Sequence, residues 1–228
     1  MIKVLQNWEE IGEATKIISQ LKLPKHQSGE KAWDLFHLYK TVEALPRDAK
    51  VIDLGCGGAF TLKFLYEMGF SNLKGVDLGI SWMDRLIQFS RMWRKRSLKK
   101  PFSMKRGDLT NTGLPAASFD LAVCLSVIEH GVNIESFLNE ASRLLKPGGL
   151  LFVTCDYWED DLKVTQDIEA FGCPWKPLTR EDIHDMVIYA KSAQLLPVGE
   201  KDIPACRNRC VSWQETEFTF SLQVFRKV

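Results

Sequence analysis

The ten residues from Val51 to Phe60 constrain the fold of this chain more than any other stretch. They read V-I-D-L-G-C-G-G-A-F, so an apolar run around one acid leads directly into Gly55, Gly57 and Gly58. Apolar residues then resume at a helical spacing, which predicts a buried strand, a tight turn and the start of a helix. Glycines at such a turn permit a positive φ and let a ligand approach where a Cβ would block it.

Spacing distinguishes two classes of nucleotide-binding loop. A dinucleotide fingerprint, G-x-G-x-x-G, would need a third glycine at the position of Phe60. Asp53, Gly55 and Gly57 instead form D-x-G-x-G, which resembles motif I of the class I (Rossmann-like), type 11-like S-adenosylmethionine-dependent methyltransferases. The third motif I glycine of that family falls on Ala59, whose methyl group is small enough for cofactor binding to survive.

Four later motifs resemble the same family in order and, with the first, extend over about half of the chain. They are the acid after the second strand, a third motif that reads adenine, the fourth strand with its loop, and the turn into the fifth strand. Their sequences are G-V-D at 75–77, R-G-D-L at 106–109, F-D-L-A-V-C-L-S-V-I-E-H at 119–130 and L-L-K-P-G-G at 144–149.

The resemblance implies a site for S-adenosylmethionine, with S-adenosylhomocysteine as product. The glycine turn would approach the methionine part, the acid after the second strand would hold the ribose, and the residues that follow would cover the adenine. The motif I acid would hold the loop or reach the amino group of the cofactor through water. The implied cofactor-binding residues are Asp53, Gly55, Cys56, Gly57, Asp77, Leu78, Trp82, Asp108, Leu109 and Ser126.

Acceptor activation is a separate question, and His130 in the loop after the fourth strand is the candidate general base. Imidazole titrates near neutral pH, as removal of a hydroxyl proton requires. A structural hydrogen bond in this loop is an equally good explanation. Relatives that methylate polyprenyl quinone precursors or RNA ends hold a divalent metal through E-x-x-E-H. Here the loop reads S-V-I-E-H from Ser126, so the first carboxylate is absent and we expect no metal.

Aromatic residues in the segment 157–175 are the candidates for acceptor binding, and we select Trp158 and Trp175. Flat rings suit a sugar or another small organic face, although aromatic side chains on loops also fill the edge of a core. Lys31 and Trp33 are likewise either acceptor contacts or packing residues. We predict direct displacement of the methyl group by an oxygen or nitrogen atom of a small-molecule or glycan-type acceptor.

Two other functions stay open at this stage. A nucleic-acid methyltransferase is favoured by the basic stretch from Arg91 to Lys100, but N-P-P-Y is absent after the fourth strand and the cations also fit a solvated helix end. A non-catalytic binding protein with this fold is indicated only by Ala59. Nearly equal counts of Lys plus Arg, 30, and Asp plus Glu, 29, give no reason to expect a polyanionic partner.

Composition also indicates the cellular setting. No apolar run reaches the roughly 18 residues of a membrane span, and the first residues lack a signal pattern, so we expect a cytoplasmic protein without membrane contact. Two of the six cysteines, Cys206 and Cys210, form C-R-N-R-C. Without further ligands nearby in the sequence we expect reduced thiols.

Alternating strands and helices predict the α/β class, with a doubly wound, mostly parallel seven-stranded sheet and helices on both faces. We expect one methyltransferase domain of 228 residues: a helical lid at 1–47, a cofactor-binding core at 48–156 and a substrate-side segment at 157–228. Apolar runs at 195–203 and 217–226 predict a closing antiparallel hairpin. Asn7, Asn133 and Thr179 are predicted helix caps.

Overall fold

A computed structural model of the protein describes residues 1–80, 102–160, 168–170 and 172–228. Its helices are α1 Trp8–Gln20, α2 Ala32–Val42, α3 Phe60–Glu67, α4 Ile134–Leu144 and α5 Arg180–Ser192, with a 3-10 turn at Gly29–Lys31. Its strands are β1 Ile2–Val4, β2 Lys50–Leu54, β3 Asn72–Asp77, β4 Ser103–Arg106, β5 Phe119–Leu125, β6 Leu145–Tyr157, β7 Glu169–Ala170, β8 Cys173–Pro174, β9 Leu195–Pro197, β10 Val211–Trp213 and β11 Thr216–Lys227.

Nine of these strands form one sheet in the order β1-β11-β6-β5-β2-β3-β4, with β9 and β10 also paired to β11. The pairs β2–β3, β2–β5, β3–β4 and β5–β6 are parallel, whereas β11 is antiparallel to β6 and to β9. The predicted α/β class, its mostly parallel sheet and its antiparallel closure are therefore confirmed. Across the described ranges the sheet has two strands beyond the predicted seven, namely β1 and β10.

Helices cover both faces of the sheet and produce two hydrophobic clusters. Phe137 of α4 and Met186 of α5 are fully buried on one face. Trp33 of α2 and Phe64 of α3 are buried on the other. Each large apolar side chain buried in this way contributes about 1.5–3 kcal/mol. Strands covered on both faces explain the continuous apolar runs of β5 and β6.

The predicted helix caps are confirmed. The side-chain oxygens of Asn7 and Asn133 each accept the backbone N–H three residues later, at 3.1 and 2.9 Å. Thr179 and Asp182 form a reciprocal capping box at the start of α5. Each such cap stabilises its helix by about 1 kcal/mol.

The first strand of the closing hairpin is shorter than predicted. It ends at Pro197 instead of extending to residue 203. Proline has no N–H for a further ladder bond, and Gly199, with φ +73°, turns the chain. Among the helices of the described ranges, none is both long enough and apolar enough to span a bilayer.

Candidate active site

The carboxyl ends of the parallel strands meet at one edge of the sheet. Asp53 near the end of β2 is in register with Gly75 of β3 and Val123 of β5. The loop after β2 therefore leaves the sheet between two neighbouring strand ends. In open α/β sheets, ligands bind outside this edge, so the site is built here.

The glycine loop after β2 combines one close contact with an open surface. Gly55 has φ +84°, and a Cβ there would lie 2.6 Å from Cγ1 of Val127. Gly57 has φ +42°, yet a Cβ on Gly57 or Gly58 would meet nothing within 4 Å. Gly55 is thus required for packing, whereas the next two glycines leave accessible backbone. Ala59 adopts φ +63° at the start of α3, where glycine would be less strained.

Cys56 contributes its backbone to the loop, since its thiol packs against β3. An ideal Cβ on Gly75 would lie 2.5 Å from the Sγ atom, and the Cys56 N–H donates to the Val76 carbonyl at 3.2 Å. Burial raises the pKa of the thiol, and the charges of Asp53 and Asp77 raise it further. This cysteine is therefore held as a neutral packing residue.

Asp77 at the end of β3 ties the glycine loop to the neighbouring strand. Its Oδ2 accepts the N–H of Gly57 at 2.8 Å, and its Oδ1 accepts the N–H of Gly79 at 2.7 Å. A carboxylate offers about four lone-pair positions. Both oxygens can therefore still accept from the two hydroxyls of a vicinal diol.

Asp53 is buried behind the same loop, with 1% of its surface exposed. Within the described ranges its Oδ2 has no hydrogen-bond partner. Burial raises the pKa of this carboxyl to about 8, and the nearby charge of Asp77 contributes to the shift. An orphaned acceptor oxygen beside an accessible loop fits a ligand that brings a cationic nitrogen.

We expect Asp53→Asn to stabilise the ligand-free protein at pH 8 and to weaken cofactor binding. The folded pKa of about 8 exceeds the ordinary value of 3.8, so the folded state binds more protons between these values. The free energy of unfolding should therefore decrease as pH rises through this window. Asparagine removes that dependence. Thermal melts between pH 5 and 8 would contradict this account if the two proteins gave parallel curves.

The other residues predicted to contact adenine have different environments. Leu78 is 57% exposed, and its carbonyl accepts Nε of Arg106 at 3.1 Å. Oδ1 of Asp108 accepts both the N–H and the hydroxyl of Thr110 at 2.7 Å. Leu109 is 7% exposed and packs in the core. Within the motif at 106–109, one oxygen of Asp108 is therefore engaged in a turn and the side chain of Leu109 is buried. Only the remaining atoms of the motif are accessible to a ligand.

Two predicted features lie outside the described residues. One is Trp82, expected to cover the adenine, and the other is the basic stretch from Arg91 to Lys100.

A group of buried and partly buried polar residues, here named the Lys31 cluster, adjoins the loop after β5. Its members are Lys31, Asp34, Glu129, Thr154 and Asp156. Lys31 donates to the hydroxyl of Ser126, which has φ +51°. Its Nζ lies 3.5 Å from Oδ2 of Asp34 and 3.7 Å from Oδ1 of Asp156. Only Lys31 was singled out from the sequence, although an acid at the end of an apolar strand, as at 156, was an available signal.

Burial and charge act against each other in the Lys31 cluster. Burial alone would lower the pKa of Lys31, but the carboxylates of Asp34, Asp156 and Glu129 outweigh it and raise that pKa. Burial raises the pKa of Asp34 to about 6. Burial, and then the charge of Asp156, raises the pKa of Glu129 well above its ordinary range. Lys31 therefore stays cationic, while the carboxyls compete for protons.

His130 lies in the same loop and is half-buried. Burial lowers its pKa from 6.5; the charge of Asp156 opposes this shift, and that of Lys31 adds to it. The imidazole is therefore neutral at pH 7 and able to accept a proton. The backbone N–H of His130 donates to the Val127 carbonyl at 3.0 Å, which holds the loop in a turn.

The two tryptophans predicted for acceptor binding have different surroundings. Trp175 is 4% exposed, donates its Nε1 to Oδ2 of Asp156 at 2.9 Å and packs edge-on against Trp213 at 4.7 Å. Trp158 is half-buried, and the guanidinium of Arg209 lies 4.5 Å from its ring. The structure thus brings Trp175 to the Lys31 cluster, whereas Trp158 contacts Arg209 and packs against the hydrophobic cluster that contains Phe137.

All six cysteines are free thiols, and Sγ of Cys206 donates to the Leu5 carbonyl at 3.2 Å. Within the described ranges, no three or more His, Cys, Asp or Glu side chains are grouped so as to hold a metal ion.

Comparison with known proteins places this site in a family context. Residues 52–153 match a family model described as a methyltransferase domain. The ubiquinone biosynthesis O-methyltransferase of Colwellia psychrerythraea is 29% identical over 106 residues, which cover 46% of this chain and 41% of that protein. The mitochondrial human protein of the same name is 33% identical over 107 residues, covering 46% and 28%. The chain thus spans less than half the length of these curated relatives.

Among solved structures, a geranyl diphosphate C-methyltransferase from Streptomyces coelicolor A3(2) has a TM-score of 0.66 and 17% identity. The match covers 92% of this chain and 86% of that one, which was solved in complex with Mg²⁺, geranyl diphosphate and S-adenosyl-L-homocysteine. At this identity the likeness shows a shared fold, and function must be argued from the site itself.

Proposed function

We propose that this chain, whose residues 52–153 belong to the methyltransferase domain family, transfers a methyl group from S-adenosylmethionine to an oxygen or nitrogen atom of a small-molecule acceptor. One observation carries the proposal: the N–H of Gly57 donates to Asp77 at 2.8 Å, beside glycines whose missing Cβ atoms leave open space. The similarity to two ubiquinone biosynthesis O-methyltransferases supports a small organic acceptor.

Each part of the cofactor has a matching group in this arrangement. The backbone at Gly57 and Gly58 would receive the methionine part, and the orphaned oxygen of Asp53 would accept from its amino group through water. Asp77 would hold the ribose hydroxyls, and exposed Leu78 would cover the adenine. Once bound, S-adenosylmethionine supplies a methyl carbon on a sulfonium. The protein then needs to align a nucleophile and exclude water.

In the same proposal, the third motif at 106–109 recognises the edge of the adenine ring. Asp108 would accept from the exocyclic amino group of adenine through an oxygen lone pair outside its turn bond to Thr110. Leu109 would act through its backbone, because its side chain is buried. Ser126, whose hydroxyl accepts from Lys31, would border the cofactor on the acceptor side.

The N-terminal segment is proposed to close the acceptor side of this site. Residues 1–47 contain α1 and α2, and Lys31 reaches from this segment to Ser126 after β5. A lid in this position would exclude water from the transferring methyl group.

His130 is proposed as the general base. Replacing it with Gln should lower the methyl-transfer rate by about 10²–10⁴-fold, the usual contribution of a positioned base. Because burial lowers the pKa of His130 below 6.5, the wild-type rate should stay level down to that pKa and fall at lower pH. The variant should lose this inflection.

A panel of catechols, phenols and primary amines is first screened for the acceptor that gives the fastest release of S-adenosylhomocysteine. The rates of the variants are then measured with that acceptor. His184 on the exposed side of α5 provides a matched control, and His184→Gln should keep the wild-type rate. A His130→Gln variant within a factor of three of wild type, with the same pH inflection, would exclude His130 as the base.

A further inference from the structure

The charges of the Lys31 cluster are not balanced. One ammonium, on Lys31, lies between the carboxyl groups of Asp34 and Asp156, at 3.5 and 3.7 Å, and the buried carboxyl of Glu129 is nearby. Burying carboxylates is costly unless cations are paired with them. The carboxyl groups of the cluster therefore carry more charge than Lys31 neutralises, and a second cation beside Lys31 would balance it.

Hydrogen bonding in the cluster gives the same indication. Among the described residues, Oε2 of Glu129 is buried and has no hydrogen-bond partner, and no hydrogen bond of good geometry reaches either carboxyl oxygen of Asp34, which has only the Thr154 hydroxyl and the Lys31 ammonium as longer-range donors. Asp34 and Glu129 are 1% and 2% exposed. The ammonium of Lys31 is 3.5 Å from Asp34, beyond the usual N–H···O range. Oxygens that lack donors match a ligand that supplies them, and a primary ammonium supplies three.

Aromatic rings border the cluster. Nζ of Lys31 lies 3.7 Å from the centroid of the Phe220 ring. Trp175 is bonded to Asp156 and packs edge-on against Trp213 and against Phe218, at 4.7 and 5.4 Å. Aromatic rings attract cations, so these buried rings add to the preference of the cluster for positive charge.

The cluster is close to the proposed methyl position. Lys31 donates to Ser126, and the next residue, Val127, fills the space where a Cβ on Gly55 would lie. The Lys31 side chain keeps 22% of its surface exposed, and that of Asp156 keeps 11%. These two side chains therefore give the cluster a partly exposed surface at the edge where β5 and β6 end.

We propose that the Lys31 cluster binds a positively charged nitrogen of the acceptor, so that this chain methylates an amine. The inference rests on the methyl-transfer function proposed above and names its substrate class. The acceptor ammonium first gives one proton to His130. The nitrogen lone pair then bonds to the methyl carbon while the carbon–sulfur bond breaks, and the electron pair of that bond stays on sulfur. The positive charge moves to the acceptor nitrogen, where the carboxylates of Asp34 and Asp156 stabilise it.

The test compares sinefungin with S-adenosylhomocysteine by calorimetry on the full chain. Sinefungin carries an amine where the cofactor carries its methylated sulfur, whereas S-adenosylhomocysteine has no charge there. We expect the wild type to bind sinefungin more tightly. Asp156→Asn, which keeps an acceptor for the Trp175 N–H, should lower that preference about tenfold, because one nearby charge has an effect of this size. Its affinity for S-adenosylhomocysteine should not change.

Asp120→Asn is the matched control, because it makes the same charge change at the other end of β5, where Asp120 pairs with Lys146 at 2.6 Å. It should keep the wild-type preference. Asp34→Asn is the second variant if Asp156→Asn does not fold. An unchanged preference in the folded cluster variants, or methylation on oxygen in the fastest acceptor of the panel, would overturn this inference alone. Failure of the wild type to bind S-adenosylhomocysteine would contradict the proposed function instead.

Discussion

Gly55→Ala should lower the affinity for S-adenosylhomocysteine by at least about 100-fold, because loss of the loop geometry removes several kcal/mol of binding. The residue has φ +84°, and its new Cβ would lie 2.6 Å from both Cγ atoms of Val127. Left-handed backbone costs about 1–2 kcal/mol for a residue with a Cβ, and overpacking adds about 1–3 kcal/mol. The same variant should therefore also lose stability in a thermal or denaturant melt.

Two further variants separate these causes. Val127→Ala in the Gly55→Ala background removes the two closest atoms and should restore part of the stability, while the backbone strain remains. Ala59→Gly, in the same loop, relieves a left-handed residue at φ +63° and should gain about 1 kcal/mol without loss of binding. Wild-type affinity in Gly55→Ala would show that the loop does not contact the cofactor.

Asp77→Ala should produce the second large effect. It removes the acceptor of the Gly57 and Gly79 N–H groups and the proposed partner of the ribose hydroxyls. Hydrogen bonds to a charged group contribute about 1.5–3 kcal/mol each. Loss of two or more should weaken S-adenosylhomocysteine binding about 10²–10⁴-fold. Asp77→Asn retains one acceptor oxygen and should fall between the alanine variant and the wild type.

Asp185→Ala provides the control for the removal of one acid. Asp185 lies on α5 with half of its side chain exposed, and its Oδ1 is 3.8 Å from Nδ1 of His184. It should bind S-adenosylhomocysteine as the wild type does. Equal affinities for Asp77→Ala and Asp185→Ala would remove the ribose role from Asp77.

The core of the fold could be predicted because its signals are local and repeated. The run from Val51 into Gly55 is one continuous strand-and-turn pattern, and each later motif lies within or at one end of its own strand. Caps such as Asn133 involve residues three apart, so periodicity and capping chemistry identify them directly. Strands β1 and β10 were missed because three residues carry too little alternation to predict a strand.

The Lys31 cluster could not be predicted, because its members come together only through the topology. Lys31 and Ser126 are 95 residues apart in the chain. Asp156 becomes their neighbour because β6 pairs in parallel with β5. Burial, which determines the protonation of Asp34 and Glu129, is also a property of the packed fold. Neither the pairing of distant strands nor the burial of these carboxyl groups can be read from a sequence pattern.

The central claim is that the loop after β2 and the acid after β3 hold S-adenosylmethionine. Calorimetric titration of the wild-type chain with S-adenosylhomocysteine tests it most directly. We expect saturable binding to one site per chain with a Kd below about 1 mM, the upper end of common substrate affinities. Heats no larger than those of dilution at millimolar ligand would contradict the claim.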